Sequence, residues 1–182
     1  MSRDPACATG TVRIPSPLGE LLLVATPRGL AELRFCGQQD ASHGTACPNP
    51  LPTTNVPPAV QEHLRQAHRE LDAYFDGRLR AFSLALDVRG TPFQRRVWQA
   101  LQDIPYGETW SYAMLAAHIG RPSACRAVGN ANGKNPLPVI IPCHRVVHAD
   151  GGLGGYSAGL GIKRFLLALE QRRHEKSPLA GA

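Results

Sequence analysis

The sequence has no long apolar run. Nowhere does it reach the roughly 18 consecutive apolar residues that span a bilayer, and Met1 to Gly10 carries neither the basic nor the apolar region of a secretory leader. No membrane partner is expected, and the chain reads as cytoplasmic. No C-x-x-C pair occurs among its five cysteines, Cys7, Cys36, Cys47, Cys125 and Cys143. An odd number of widely spaced cysteines without a leader is expected to stay as reduced thiols. His43, between Cys36 and Cys47, makes only a weak match to a structural zinc spacing, so no metal is expected. The glycine-rich stretch 151–161 lacks the Gly-Lys-Ser/Thr ending of a phosphate-binding loop, and no nucleotide cofactor is expected there.

What is present is a chain of 182 residues, 43% hydrophobic and 19% charged. That is a globular composition, long enough for one large or two small domains. The net charge of +6 is unevenly placed: residues 1–90 hold nine Arg against nine Asp and Glu, while residues 91–182 hold eleven basic against five acidic residues. The whole excess lies in the second half, and a basic half joined to a neutral one suggests contact with a polyanion, nucleic acid first.

In the first half, Glu20–Thr26 and Gly29–Phe35 are Leu- and Val-rich runs around Pro27-Arg28, a hairpin pattern, with Thr11–Ile14 as a third strand. Prolines accumulate in a loop over 36–58. Pro57-Pro58 then opens a helix with Val60, Leu64, Ala67, Leu71, Tyr74 and Phe75 at helical spacing, stopping at Gly77. Ser83–Val88 alternates like a further strand. The fold expected is α+β: a small N-terminal α/β domain over 1–90 with an antiparallel sheet and a helix, then a mainly helical domain over 91–182.

The second half opens on Thr91-Pro92, a cap followed by proline at the first helical position, with Phe93, Val97 and Leu101 on one face. Ser111 caps a helix carrying Tyr112, Leu115, Ala116 and Ile119. After Gly120-Arg121-Pro122 a second short helix is expected over 123–131, completing a helix-turn-helix pattern. That second helix carries Arg126 among small neighbours, Ala124, Ala127, Gly129 and Ala131, which allow close approach to a groove or to another helix. A last helix over 162–173 is expected to face Ile162, Phe165, Leu166 and Leu169 inward and Lys163 outward.

The chemistry concentrates on Cys143. The apolar run from Leu137 ends at Pro142-Cys143-His144-Arg145 and reads as a core strand closing on a cysteine. Only this cysteine has neighbours able to lower a thiol pKa and expose the reactive thiolate. Consecutive residues of a strand point to opposite faces, so His144 can serve Cys143 only if the chain turns there or a water bridges them.

Between Thr91 and Glu170, 80 of the 182 residues, the motifs stand in order: Thr91-Pro92-Phe93-Gln94, Val97-Trp98, Ile104-Pro105-Tyr106-Gly107-Glu108-Thr109, Ser111-Tyr112, Arg126-Ala127-Val128-Gly129, Asn135-Pro136, Ile141-Pro142-Cys143-His144-Arg145-Val146, Gly155-Tyr156, and Lys163 with Leu166-Leu167 and Glu170. With these the chain resembles the O6-alkylguanine-DNA alkyltransferase family, the methylated-DNA–protein-cysteine methyltransferases. The resemblance implies a repair protein that takes the alkyl group from O6-alkylguanine, and from O4-alkylthymine, in double-stranded DNA onto its own cysteine, once, irreversibly and without cofactor. It implies Cys143 as nucleophile, His144 as base through a water, Glu170 as the group orienting His144, Asn135 as a brace before the reactive segment, and Tyr112 as donor to the leaving guanine. It further implies a pocket of Tyr112, Tyr156, Ser157, Pro138 and Val146. Arg126 would be the finger that replaces the flipped base, on a DNA surface shared with Ser123, Ala127, Gly129 and Tyr112. A monomer is expected. Gly154 stands where many members carry a β-branched residue, and Ala158 where many carry glycine.

The residues alone leave blander readings open: Tyr112 as core, Arg126 as a solvated charge, Ser157 as an ordinary loop residue, Glu170 paired with Lys163 or Arg173. Competing functions are an alkyltransferase-like protein that binds lesions without reacting, a helix-turn-helix regulator, and a thiol hydrolase.

Overall fold

A computed structural model of the chain describes residues 9–37 and 56–174. The chain divides into two compact units, residues 1–89 and 90–182.

The first unit is an antiparallel meander, β1 (Gly10–Ile14), β2 (Leu21–Thr26) and β3 (Gly29–Phe35), covered by a helix, α1 (Pro58–Phe75). Val60, Leu64, Ala67, Leu71 and Tyr74 form the buried stripe of α1, and Leu21, Leu23, Ala25, Leu30 and Leu33 of the sheet are also buried. The 83–88 segment is not a strand of this sheet. It makes one parallel bridge, Leu30 to Leu86, in which Leu30 N–H donates to Ala85 C=O at 2.8 Å and Asp87 N–H to Leu30 C=O at 2.8 Å. That approach explains Gly29: its φ is +148°, and a Cβ there would lie 2.4 Å from the Ala85 carbonyl oxygen.

Cys36, just past β3, is disulfide-bonded, so the expectation of reduced thiols throughout fails there; spacing along a chain is silent on which sulfurs meet. Cys125 and Cys143 are free thiols. The other members of the weak zinc grouping, His43 and Cys47, and most of the Pro-rich loop 36–58, lie outside the described residues.

The second unit is mainly helical: α2 (Pro92–Leu101), β4 (Trp110–Ser111), α3 (Tyr112–His118), α4 (Cys125–Gly133), β5 (Val146–Val147) and α5 (Leu160–His174). Local chemistry sets the starts. Thr91 and Gln94 form a reciprocal capping box on α2, and Ser111 accepts from Met114 N–H at 3.1 Å at the head of α3. The second short helix starts two residues later and ends two residues later than its pattern suggested. Pro122–Ala124 is a separate 3-10 turn, so Ser123 lies outside the helix, and α4 continues to Gly133. Trp98 of α2 is buried and its indole N–H donates to Ala131 C=O of α4 at 2.9 Å.

Two features were absent from the sequence reading. β4 and β5 pair in parallel, Trp110 with Val146 and Ser111 with Val147, which brings the start of α3 beside the cysteine segment. α5 is also rotated relative to the expected facing: Lys163 is fully buried with Ile162, Leu166, Leu167 and Glu170, while Phe165 is 37% exposed. Among the described residues no helix is long and apolar enough to cross a membrane.

Candidate active site

The segment before Cys143 is not a strand. Pro138 and Pro142 remove two ladder donors, and Val139 adopts φ +75°, a left-handed conformation that costs a β-branched residue energy and that only its surroundings can enforce. Pro142, at φ −80° and ψ 61°, has inverse γ-turn geometry, and Cys143 N–H donates back to Ile141 C=O at 2.8 Å. A 3-10 turn over Cys143–Arg145 follows directly. The consequence is chemical. His144 and Arg145 would diverge on a strand, yet on this turn they converge on one carboxylate.

That carboxylate is Glu170 of α5, which is fully buried. Its Oε1 lies 2.9 Å from His144 Nε2 and accepts from Arg145 Nη2 at 3.0 Å. Its Oε2 accepts from Arg145 Nε at 2.9 Å and from Gly107 N–H at 3.1 Å. Burial opposes ionisation of Glu170, but hydrogen bonds and charge from His144 and Arg145 outweigh it and hold the carboxyl at about 2. Arg145 is also anchored by Nη1 on Ile104 C=O at 2.6 Å and lies over the Tyr106 ring. Of the alternative pairings of Glu170, the one with Lys163 does not occur and the one with Arg173 lies outside the described side chains; Arg145 is the partner that the sequence reading missed.

His144 is also fully buried, and burial lowers its pKa below the ordinary value despite the pull of Glu170. It is therefore held neutral. With Nε2 committed to Glu170, the tautomer that donates there leaves Nδ1 as an acceptor, and Nδ1 has no partner among the described residues.

The Cys143 thiol is 2% exposed and its pKa is raised, because burial outweighs hydrogen bonds from Asn135 and Tyr156 and the nearby charge of Lys163. The expectation of a depressed thiol pKa is thus reversed. Cys143 rests as a thiol, and any reaction through its sulfur has to begin with loss of that proton.

Asn135 braces the loop at both ends. Its Oδ1 accepts from Leu137 N–H at 3.0 Å, and its Nδ2 donates to Ile141 C=O at 2.8 Å and to Cys143 Sγ at 3.0 Å. Lys163, the second residue missed, donates from Nζ to the carbonyls of Val146 and Leu153, tying together the two ends of the segment between them. Burial drops its pKa to about 8, against an upward pull from Cys143. A cation bound only by carbonyls leaves no sequence signature.

Of the other expected site residues, Tyr112 is half-buried, and burial raises its phenol pKa with a further contribution from Cys143, so the two groups share one site. Pro138 and Val146 are buried, and Tyr156 and Ser157 half-buried. Arg126, Ala127 and Ser123 are exposed and Gly129 is partly so. Arg121, Arg126 and Lys134 form no ion pair among the described residues, although they cluster along the segment from the turn before α4 to its end.

Two family descriptions cover nearly the whole chain: "6-O-methylguanine DNA methyltransferase, ribonuclease-like domain" matches residues 13–88 and "6-O-methylguanine DNA methyltransferase, DNA binding domain" matches residues 92–172. The class is thus that of proteins acting on methylated DNA. The methylated-DNA–protein-cysteine methyltransferase of Methanosarcina barkeri is 46% identical over 158 residues, 87% of this chain and 94% of the relative. That of Mycolicibacterium paratuberculosis is 48% identical over 166 residues, 91% and 94%. The crystal structure of Mycobacterium tuberculosis OGT in complex with DNA superposes with a TM-score of 0.73 at 46% identity, covering 88% of this chain and 92% of that one. The chain belongs to the O6-methylguanine DNA methyltransferase family.

Proposed function

We propose that this protein repairs DNA by taking the alkyl group from O6 of an alkylated guanine onto Cys143, one group per molecule. The observation that carries the assignment to Cys143 is the neutral, buried His144, with Nε2 on Glu170 and Nδ1 unpartnered, in the residue next to the thiol.

Because the thiol is held protonated, reaction begins with its proton passing to His144 Nδ1 through a water. The imidazolium that forms is stabilised by the Glu170 carboxylate, as in the triads of hydrolases. The sulfur attacks the alkyl carbon, the S–C bond forms as the C–O6 bond breaks, and the electron pair stays on guanine. Tyr112 donates to the ring as that charge develops, and a proton returns to the departed base. Asn135 and Lys163 favour the thiolate along the way. The thioether has no good leaving group, so the protein is consumed.

O6 lies inside the duplex stack, and reaching it requires flipping the base, at a cost of about a few kcal/mol. In our reading α3 and α4 form the helix-turn-helix, and Arg126 enters the vacated place. Ala127 and Gly129 let α4 approach a minor groove about 6 Å wide, with Ser123 beside them. Tyr156, Ser157, Pro138 and Val146 line the pocket. Residues 91–182 are thus the DNA-binding and alkyl-acceptor domain and residues 1–90 a scaffold. The protein acts as a monomer in the compartment that holds the chromosome, which we take to be the cytoplasm.

Intact-mass measurement tests this. After incubation with duplex DNA containing one O6-methylguanine, the chain should gain one methyl group and Cys143→Ala none. Equal gain by the variant, or no gain by either, refutes the assignment.

A further inference from the structure

We infer that His148 is a positioning residue for the transfer, acting by fixing the attitude of the Tyr112 ring; the inference rests on the role proposed for Tyr112. Three separate pieces of chain meet that ring. On one side is α4, where a Cβ on Gly129 would lie 3.7 Å from Tyr112 Cε1. At the hydroxyl end is Gly154, with φ +67°, where a Cβ would lie 2.9 Å from the phenol oxygen and 3.2 Å from Cε2. A third contact is the His148 imidazole, its centroid 5.5 Å from that of Tyr112 and its plane inclined by 53°.

The imidazole is carried on a closed turn rather than on a free loop. His148 N–H donates to Gly152 C=O at 2.7 Å and Gly151 N–H to His148 C=O at 3.0 Å. The same turn follows β5 directly, so it is registered against β4 and the residue after β4 is Tyr112 itself. His148 is exposed, and Tyr112 is the aromatic side chain it packs against. Without the imidazole, the Tyr112 ring keeps the Gly129 and Gly154 backbones beside it but loses its aromatic neighbour, and the phenol can turn away from the base it should address. The contact is aromatic packing, so any flat ring at 148 should serve and an aliphatic stub should not.

Single-turnover transfer from duplex DNA containing O6-methylguanine, with the full chain, tests this. His148→Ala should slow transfer about three- to tenfold, the range expected for one aromatic pair, and His148→Phe should restore it. Adding His148→Ala to Tyr112→Phe should cause no further loss, because the hydroxyl being positioned is already gone. A His148→Ala rate equal to that of the parent, failure of His148→Phe to restore it, or the same proportional loss in both backgrounds overturns the inference while leaving a slow Tyr112→Phe, and so the role of Tyr112, intact. A Tyr112→Phe protein reacting at full rate overturns both.

Discussion

His144 Nε2 and Glu170 Oε1 lie 2.9 Å apart, with neither side chain open to solvent. The same carboxylate is gripped by Arg145 from the next residue, so a single acid both orients a buried imidazole and neutralises a buried guanidinium. Sequence neighbours with opposite needs are thereby served by one group 26 and 25 residues away.

Glu170→Gln separates these duties from simple shape. The amide can no longer stabilise an imidazolium or fix the tautomer, and Arg145 is left buried without its counter-charge. Transfer should fall by roughly 10⁴-fold and unfolding free energy by about 3 kcal/mol, measured by rapid quench and by denaturant titration. A variant that reacts at the parent rate would remove Glu170 from the mechanism.

Acid should destabilise the protein through the same pair. Glu170 is held at about 2 against an ordinary value of 4.5, so the folded state binds that proton later than the unfolded chain. Its contribution is complete above 4.5 and is lost as pH falls toward 2. His144, kept neutral below its ordinary 6.5, acts in the same direction from 6.5 downward, because only the unfolded chain gains the proton. Melting curves should fall steadily over this window, and the part below 4.5 should be shallower in Glu170→Gln, with Glu70 and Asp87, also held below the ordinary carboxylate value, supplying the rest. Stability that rises on acidification would contradict the assignment.

Arg126→Ala should divide two substrates. Alkyl transfer from duplex DNA should drop about tenfold or more, since on the proposed reading the flipped state loses the group that fills the stack. Transfer from the free base, which needs no flipping, should be unchanged. Equal losses on both would place Arg126 in folding or chemistry instead.

Much of the frame was readable because its causes are local. Thr91-Pro92 and Ser111 announce helix starts through side chains one turn away, and the stripe of α1 is a period in the sequence. The site residues that resisted reading owe their roles to distant partners. Nothing near Lys163 says that its ammonium turns inward to two carbonyls, and nothing near Arg145 says that it outcompetes Lys163 for Glu170. The apolar stretch from Leu137 misled because composition suggests a strand, while Pro138, Val139 at φ +75° and Pro142 make a coiled path instead. The thiol pKa misled for a related reason: the adjacent His144 and Arg145 turn to Glu170, the groups that favour a thiolate, Asn135, Tyr156 and Lys163, come from elsewhere in the chain, and burial outweighs them.

The indole of Trp98, sealed between α2 and α4 and bonded to the Ala131 carbonyl, makes the molecule its own optical gauge. Indole emission follows the polarity and hydrogen bonding around the ring, so any shift of α4 against α2 changes its colour and brightness. The chain has two tryptophans, and the other, Trp110, lies 4.9 Å from the His118 ring, in surroundings different enough to be told apart. A repair event that moves α4 against α2, one that by its nature gives no turnover to amplify, would therefore be visible in unlabelled protein by light alone.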